Sequence, residues 1–210
     1  MHFRYPDKPV EATPAVLDTL TPGEWLAQTK PDGWRCLIDC AVENKGPRDV
    51  MRLEFLTRHA KPMPIDEDLA HRVSVWLHNT GLPRLLIDAE WMGRRDGQPE
   101  SLWVFDLLTQ GDPWELGGKP AWMRFDMLRT LCRDFPPPDR VRLVEWTSGE
   151  GDTISYADFF ERVRYQPGIE GIVLKRASSR YIGSIRHCAE NPDWLKVKWR
   201  AGESGQTRIA

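Results

Sequence analysis

The chain has 210 residues, 40% of them hydrophobic and 29% charged, with a formal net charge of −2. Those fractions describe a folded globular protein rather than a disordered one, and a chain this long can bury a core without disulfides or a structural metal. No apolar run approaches the ~20 residues that span a bilayer, and the N-terminus MHFRYPDKPV lacks the apolar stretch of a signal peptide, so the sequence reads as cytoplasmic with no membrane part.

In chain order, GEWLAQT and WRCLIDCAV read as strands around a tight Pro31-Asp32-Gly33 turn, a hairpin-like reversal or a strand connection. Cys36 and Cys40 fall on one face of the second strand and read as buried. VMRLEFLTR alternates as a half-buried strand with Met51, Leu53 and Phe55 on one face. DEDLAHRVSVWLHNTG places Leu69, Val73, Trp76 and Leu77 at helical spacing, with Gly81 as the stop. RLLIDAEWMG and SLWVFDLLTQ are strands, and a second helix occupies about 121–134. VRLVEWTS is a strand, SYADFFERVRYQ a short helix with Ser155 as N-cap, and GIEGIVLKR and DWLKVKWR close the pattern as strands. Without regular βαβ alternation, this is an α+β protein of antiparallel sheets. Residues 1–22 read as an N-terminal arm, 23–200 as the domain and 201–210 as a polar tail. Most of the ten tryptophans fall at apolar-periodic positions and read as core, with Trp34 the exception beside the turn.

Charge is unevenly spread. Residues 164–200 hold eight lysines and arginines against three acids, a local +5 that leaves −7 for the rest. Such a segment is either a solvated basic face or a phosphate-binding surface. The cysteines form no CxxC pair and the histidines no HxxH pair, which favours a reducing compartment and no structural zinc.

Four short segments carry chemistry. In Lys30-Pro31-Asp32-Gly33-Trp34-Arg35 a lysine at a strand end, next to a glycine turn, can project its amine into a cleft. Asp88-Ala89-Glu90 sets two carboxylates on one face of a strand, suited to ribose hydroxyls or a metal-bound phosphate. The third segment is Glu170-Gly171-Ile172-Val173-Leu174-Lys175. In the fourth, Lys196 and Lys198 share a face while Leu195, Val197 and Trp199 turn to the core. Their mutual repulsion is offset by a bound phosphate. Each segment alone has an ordinary structural explanation; their order along one chain does not.

The series KPDGWR, DAE, VFDLL, EGIVLKR and KVK resembles the covalent nucleotidyltransferases, the ATP-dependent polynucleotide ligases and mRNA capping enzymes, from about Gly23 to Arg200. The resemblance implies an ATP-grasp-like nucleotidyltransferase domain, antiparallel sheets flanked by helices, with the nucleotide between them. Lys30 is then the nucleophile that attacks the α-phosphate of ATP and becomes lysyl-AMP. A free lysine has a pKa near 10.4, so neighbouring cations and burial must favour its neutral form. Lys175, Lys196 and Lys198 supply those cations and hold the α-phosphate. Glu90 contacts ribose, and Arg35 places the nucleotide and a nucleic-acid phosphate. Phe105 stacks on adenine opposite a wall that includes Val173. Glu170 sits near ribose and metal, and with Glu90 supplies the carboxylates for magnesium, or manganese in its place. Arg58 reaches substrate phosphates, with His59 beside it, Arg176 adds a nucleic-acid contact, and Asp32 lies near the nick.

The sequence departs from the family pattern at several points. Ala89 replaces the usual glycine. Gln28 stands where DNA ligases often carry a glutamate that reads the adenine amino group. Glu170 and Lys175 are five apart, so a straight strand sends them to opposite faces unless a bulge intervenes. No OB-fold domain follows Lys198 in this sequence, so the reading includes a stripped-down enzyme or a partner that supplies OB-fold-like functions. The implied activity is sealing of 5′-phosphate/3′-hydroxyl nicks by a monomer in duplex nucleic acid, DNA favoured because KPDGWR with EGIVLKR looks more like the DNA ligases. RNA nicks, GTP-dependent capping and an inactive nucleic-acid-binding module are the alternatives.

Overall fold

The structure is a computed structural model, and it describes residues 4–45, 48–94, 97–110, 115–151, 154–184 and 186–199. Arg200 and the tail at 201–210 lie outside the described residues. Among the described residues two five-stranded sheets carry the fold. In the first, β1 (Lys8–Ala12), β10 (Glu190–Lys198), β9 (Ile169–Arg176), β2 (Trp25–Pro31) and β8 (Trp146–Thr147) lie side by side in that order. In the second the order is β4 (Arg48–Thr57), β3 (Trp34–Lys45), β5 (Arg84–Met92), β6 (Ser101–Gln110) and β7 (Val141–Leu143). Neighbours run antiparallel except β1 with β10 and β6 with β7, which are parallel.

Periodicity explains the helices. α1 (Glu67–Asn79) buries Leu69, Val73, Trp76 and Leu77, the stripe its spacing predicts. Asp66 caps it by accepting the Leu69 N–H at 3.2 Å, and Glu67 and Asp68 complement the positive end of its dipole. In α3 (Tyr156–Val163) Ser155 caps Asp158 at 3.1 Å, as expected. α2 (Ala121–Asp134) follows Pro120 and has no side-chain cap. Its first N–H groups instead reach the loop after β9: Ala121 donates to the Ser179 carbonyl at 2.8 Å and Trp122 to Ala177 at 3.1 Å. That docking holds α2 against the strand that carries Lys175.

Of the two readings of the Pro31–Gly33 turn, the structure shows the strand connection: it joins β2 of one sheet to β3 of the other. Two features depart from the sequence reading. VRLVEWTS is two strands: β7 pairs with β6, and β8 pairs with β2 in the opposite sheet. Residues 8–12, read as part of an arm, form an edge strand, and Leu17 beyond them is 5% exposed. KPVEA offers neither alternation nor length; it pairs at an edge, with its register shift at Pro9, where a residue without an N–H is tolerated. Trp25, Trp76, Trp103 and Trp194 are buried as expected, whereas Trp122 is 51% exposed because its main chain, not its ring, fixes the start of α2.

Candidate active site

A cleft of about 570 Å³ opens beside the connection between the sheets, within the range typical of small-molecule sites. Gly33 makes the crossing feasible. A Cβ there would collide with the Trp91 carbonyl oxygen and stand 2.8 Å from Met92 Sδ and 2.9 Å from Glu90 Cγ. The main chain passes too close to β5 for any side chain.

Lys30 is the next-to-last residue of β2, and its ammonium donates to Glu170 Oε1. Lys198 Nζ donates to the other oxygen, Oε2, at 2.6 Å. One carboxylate therefore bridges lysines from two strands. The bulge that parity demands is present: Lys30 pairs with Gly171 and Pro31 with Ile169, which leaves Glu170 as the extra residue. Burial works to raise the Glu170 pKa, but Lys30 and Lys198 outweigh it and hold the carboxyl below its ordinary value.

Phe105 owes its place to a second bulge. Asp88 pairs with Asp106 and Ala89 with Val104, so Phe105 is the unpaired residue of β6. Two cations lie over its ring, with the Arg35 guanidinium 4.9 Å and Lys175 Nζ 5.2 Å from its centroid. Lys175 is 2% exposed and donates to Asp106 Oδ2 at 2.8 Å. Its pKa is lowered, chiefly by burial, against the pull of Asp106. Asp106 is held down at about 2: burial would raise it, but Arg124 and Lys175 prevail.

Arg35 is committed to a buried ion pair. It bonds both oxygens of Asp88, whose Oδ2 also accepts the Tyr181 hydroxyl at 2.9 Å. The carboxylate two residues along faces the opening instead. Desolvation pushes Glu90 up to about 7, against the attraction of Lys30 and Arg35. Gln28, 2% exposed, donates its Nε2 to the Phe105 carbonyl at 3.0 Å, which leaves Oε1 as the acceptor its amide offers.

Gln28, Lys30, Arg35, Arg58, Glu90, Phe105, Val173, Lys175, Lys196 and Lys198 thus line one cleft, with Glu170 bonded to two of them. Asp32 and Arg176 are not among the lining residues. The Asp32 N–H donates to Gly168 at 2.8 Å, and Arg176 pairs with Asp193 at 3.5 Å while lying 5.1 Å from the Trp25 ring. The basic segment is consequently split, with Lys175, Lys196 and Lys198 turned to the cleft and Arg176 away from it. On the rim, the Thr57–Lys61 turn presents Arg58, whose Nε donates to His59 Nε2 at 3.2 Å.

Sequence reasoning missed Asp7, Asp106, Arg124 and Tyr181. Asp7, 1% exposed, accepts the N–H groups of Ile182 at 2.8 Å and Gly183 at 2.9 Å, and it holds the N-terminal strand on the cleft wall. Asp106 alone carried a signal, being an acid in the otherwise apolar LWVFDLL.

No family model matches the chain. The multifunctional non-homologous end joining DNA repair protein LigD of Mycobacterium tuberculosis is 27% identical over 221 residues, covering 95% of this chain and 26% of LigD. A mycobacterial DNA ligase D complexed with ATP and MES superposes with a TM-score of 0.68 at 21% identity, over 95% of this chain and 65% of that one. The chain has the nucleotidyltransferase-domain fold of the ATP-dependent DNA ligases. The ligase domain of M. tuberculosis LigD gives a TM-score of 0.65 at 19% identity, with 93% of this chain and 59% of that one covered. In sequence the chain is similar to LigD, and it spans about a quarter of the length of the curated relatives it matches.

Proposed function

We propose that the protein is an ATP-dependent polynucleotide ligase that seals 5′-phosphate/3′-hydroxyl nicks, in duplex DNA by preference. The observation that carries this reading is the Lys30 ammonium in the cleft, bridged through Glu170 to Lys198 with Lys175 and Lys196 on the same walls. A lone surface lysine needs no such company. A lysine that must attack an α-phosphate needs cations to receive the developing charge.

In the first step Lys30 Nζ attacks the α-phosphorus of ATP, an N–P bond forms, the bond to the β-phosphate oxygen breaks and pyrophosphate leaves. A 5′-phosphate oxygen at the nick next attacks that phosphorus and expels Lys30. The 3′-hydroxyl then attacks the 5′-phosphorus and expels AMP. Phe105 offers a face for the base, and the Gln28 carbonyl suits the amino group of adenine, which supports ATP over GTP.

Among the described residues no cluster of three or more His, Cys, Asp or Glu forms a metal cage. That suits magnesium, which is commonly held by one or two carboxylates together with substrate phosphates. Glu90 and Glu170 would hold it here, and it would neutralise the triphosphate. Arg58 on the rim would meet a substrate phosphate, and Arg176 and Asp32 would act only with nucleic acid bound across the cleft mouth. The reading is of a monomer working in the cytoplasm. No helix among the described residues is long and apolar enough to cross a membrane.

Intact mass spectrometry after incubation with magnesium and equimolar ATP and GTP tests the first step. An AMP-sized adduct, lost in Lys30→Ala, is expected, followed by sealing of a nicked DNA duplex faster than a nicked RNA duplex. A GMP adduct, or a folded AMP-free sample that acquires none, refutes the reading.

A further inference from the structure

Beneath Phe105 lies a charged cluster to which the proposed steps give no role. Asp106 Oδ1 accepts Arg124 Nε at 2.9 Å and the Leu107 N–H at 3.0 Å, and Oδ2 accepts Arg124 Nη2 at 3.0 Å and Lys175 Nζ at 2.8 Å. Arg124 is fully buried on α2, where its Nη1 also donates to the carbonyls of Lys119 at 2.6 Å and Ser179 at 3.3 Å. Both carbonyls belong to the segments that dock α2, so the guanidinium is fixed from two sides.

Asp106 stands opposite Asp88 in the β5–β6 register, and Asp88 is paired with Arg35. The buried Asp7 acts on Arg124 as well. Three carboxylates therefore face three cations here, and what distinguishes the cations is which of them opens on the cleft. Arg124 does not reach the cleft and Arg35 is held by Asp88. Lys175 lines the cleft and gives one of its three N–H bonds to Asp106, with its ammonium 4.6 Å from the Trp194 centroid.

We propose that Asp106 and Arg124 are positioning residues for the nucleotide phosphate: Arg124 clamps the Asp106 carboxylate, and the carboxylate keeps the Lys175 ammonium charged and aimed into the cleft. The proposal rests on the nucleotidyl-transfer reading above. A cluster that merely glues α2 to the sheet has no need of a lysine at the cleft wall.

The two positioning residues act on Lys175 with opposite sign. Burial lowers its pKa most; Asp106 and Asp88 pull it up, and Arg124 pushes it down further. The charged or titratable groups around it are Asp106 on β6, Arg124 on α2, Asp88 on β5, Arg35 on β3, Lys196 on β10 and Tyr181 in the loop after β9. The phosphate contact needs charged Lys175, so AMP binding and adduct formation weaken as Lys175 deprotonates with rising pH. Asp106→Asn should move this falling limb to lower pH, read as a loss of binding and of rate at a fixed pH on the limb. Arg124→Met, similar in volume, should move the same limb to higher pH.

The test follows adduct formation against pH in single turnover at saturating ATP, with circular dichroism to confirm folding. AMP binding by calorimetry over the same range reads the limb without chemistry. Opposite displacements support the clamp, since a merely structural role lowers melting temperature without moving the limb both ways. A limb that stays put in folded Asp106→Asn, by rate and by AMP binding, overturns it, and this variant decides alone if Arg124→Met does not fold. A wild type that binds AMP but forms no adduct sinks the ligase reading instead, and the binding limb still decides the clamp.

Discussion

Gly171 is where a single methyl group should separate the two lysine strands. It pairs with Lys30 on β2 and with Lys198 on β10, so it lies between the two lysines that Glu170 bridges. A Cβ built there collides with the Val197 carbonyl oxygen and stands 2.9 Å from Lys198 Cα and 3.0 Å from the Val197 carbonyl carbon. Carbon atoms in contact prefer ~3.5–4.0 Å, so Gly171→Ala must push the β10 main chain away by roughly 0.5–1 Å. Overpacking of this kind costs ~1–3 kcal/mol. For a domain of this size ~2 kcal/mol lowers Tm by roughly 4–8 °C. The displaced strand carries Lys196 and Lys198, and a misplacement of ~1 Å at a reacting centre costs ~10²-fold in rate. Intact-mass time courses of lysyl-AMP formation should therefore slow by about two orders of magnitude below the melting transition, with the protein still folded by circular dichroism. A Gly171→Ala protein that melts with the wild type and adenylates at its rate would refute the claim that the Lys30–Glu170–Lys198 bridge depends on the close approach of these strands.

Glu90→Gln probes the desolvated carboxyl. Its pKa rises from 4.5 to about 7 on folding, so the stability linked to its proton is complete below pH 4.5 and is lost as pH rises through about 7. The glutamine variant should match wild type in urea melts near pH 4.5 and exceed it by roughly 3 kcal/mol above neutral pH; parallel curves across that range count against the shift. Phe105→Ala removes a ring that lies within 5.2 Å of both Arg35 and Lys175, and with base–aromatic stacking worth ~1–3 kcal/mol, KM for ATP should rise about 10–100-fold; unchanged KM in adenylation assays would place the base elsewhere. Ser155→Ala deletes the α3 cap bond of 3.1 Å, so Tm should fall by the equivalent of ~1 kcal/mol while adduct formation keeps its rate.

Local chemistry and periodicity determined much of this protein by themselves. Leu69, Val73, Trp76 and Leu77 make an amphipathic stripe whatever they pack against, and Ser155 before an acidic first turn is a cap on its own evidence. Alternation likewise placed Lys196 and Lys198 together, with Val197 turned to the core. The Glu170 parity conflict even announced that a bulge was needed.

Only the tertiary structure could say where that bulge falls, because register is a property of two strands and not of one. The same holds for β1, whose short proline-containing segment becomes a strand only against β10, and for VRLVEWTS, divided between sheets by partners distant in sequence. Asp106 and Arg124 are 18 residues apart, and Asp106 and Lys175 are 69 apart. No spacing rule links an acid in β6 to a helix residue and a lysine in β9. Their charges become one cluster only when burial strips away the water that would otherwise let each stand alone.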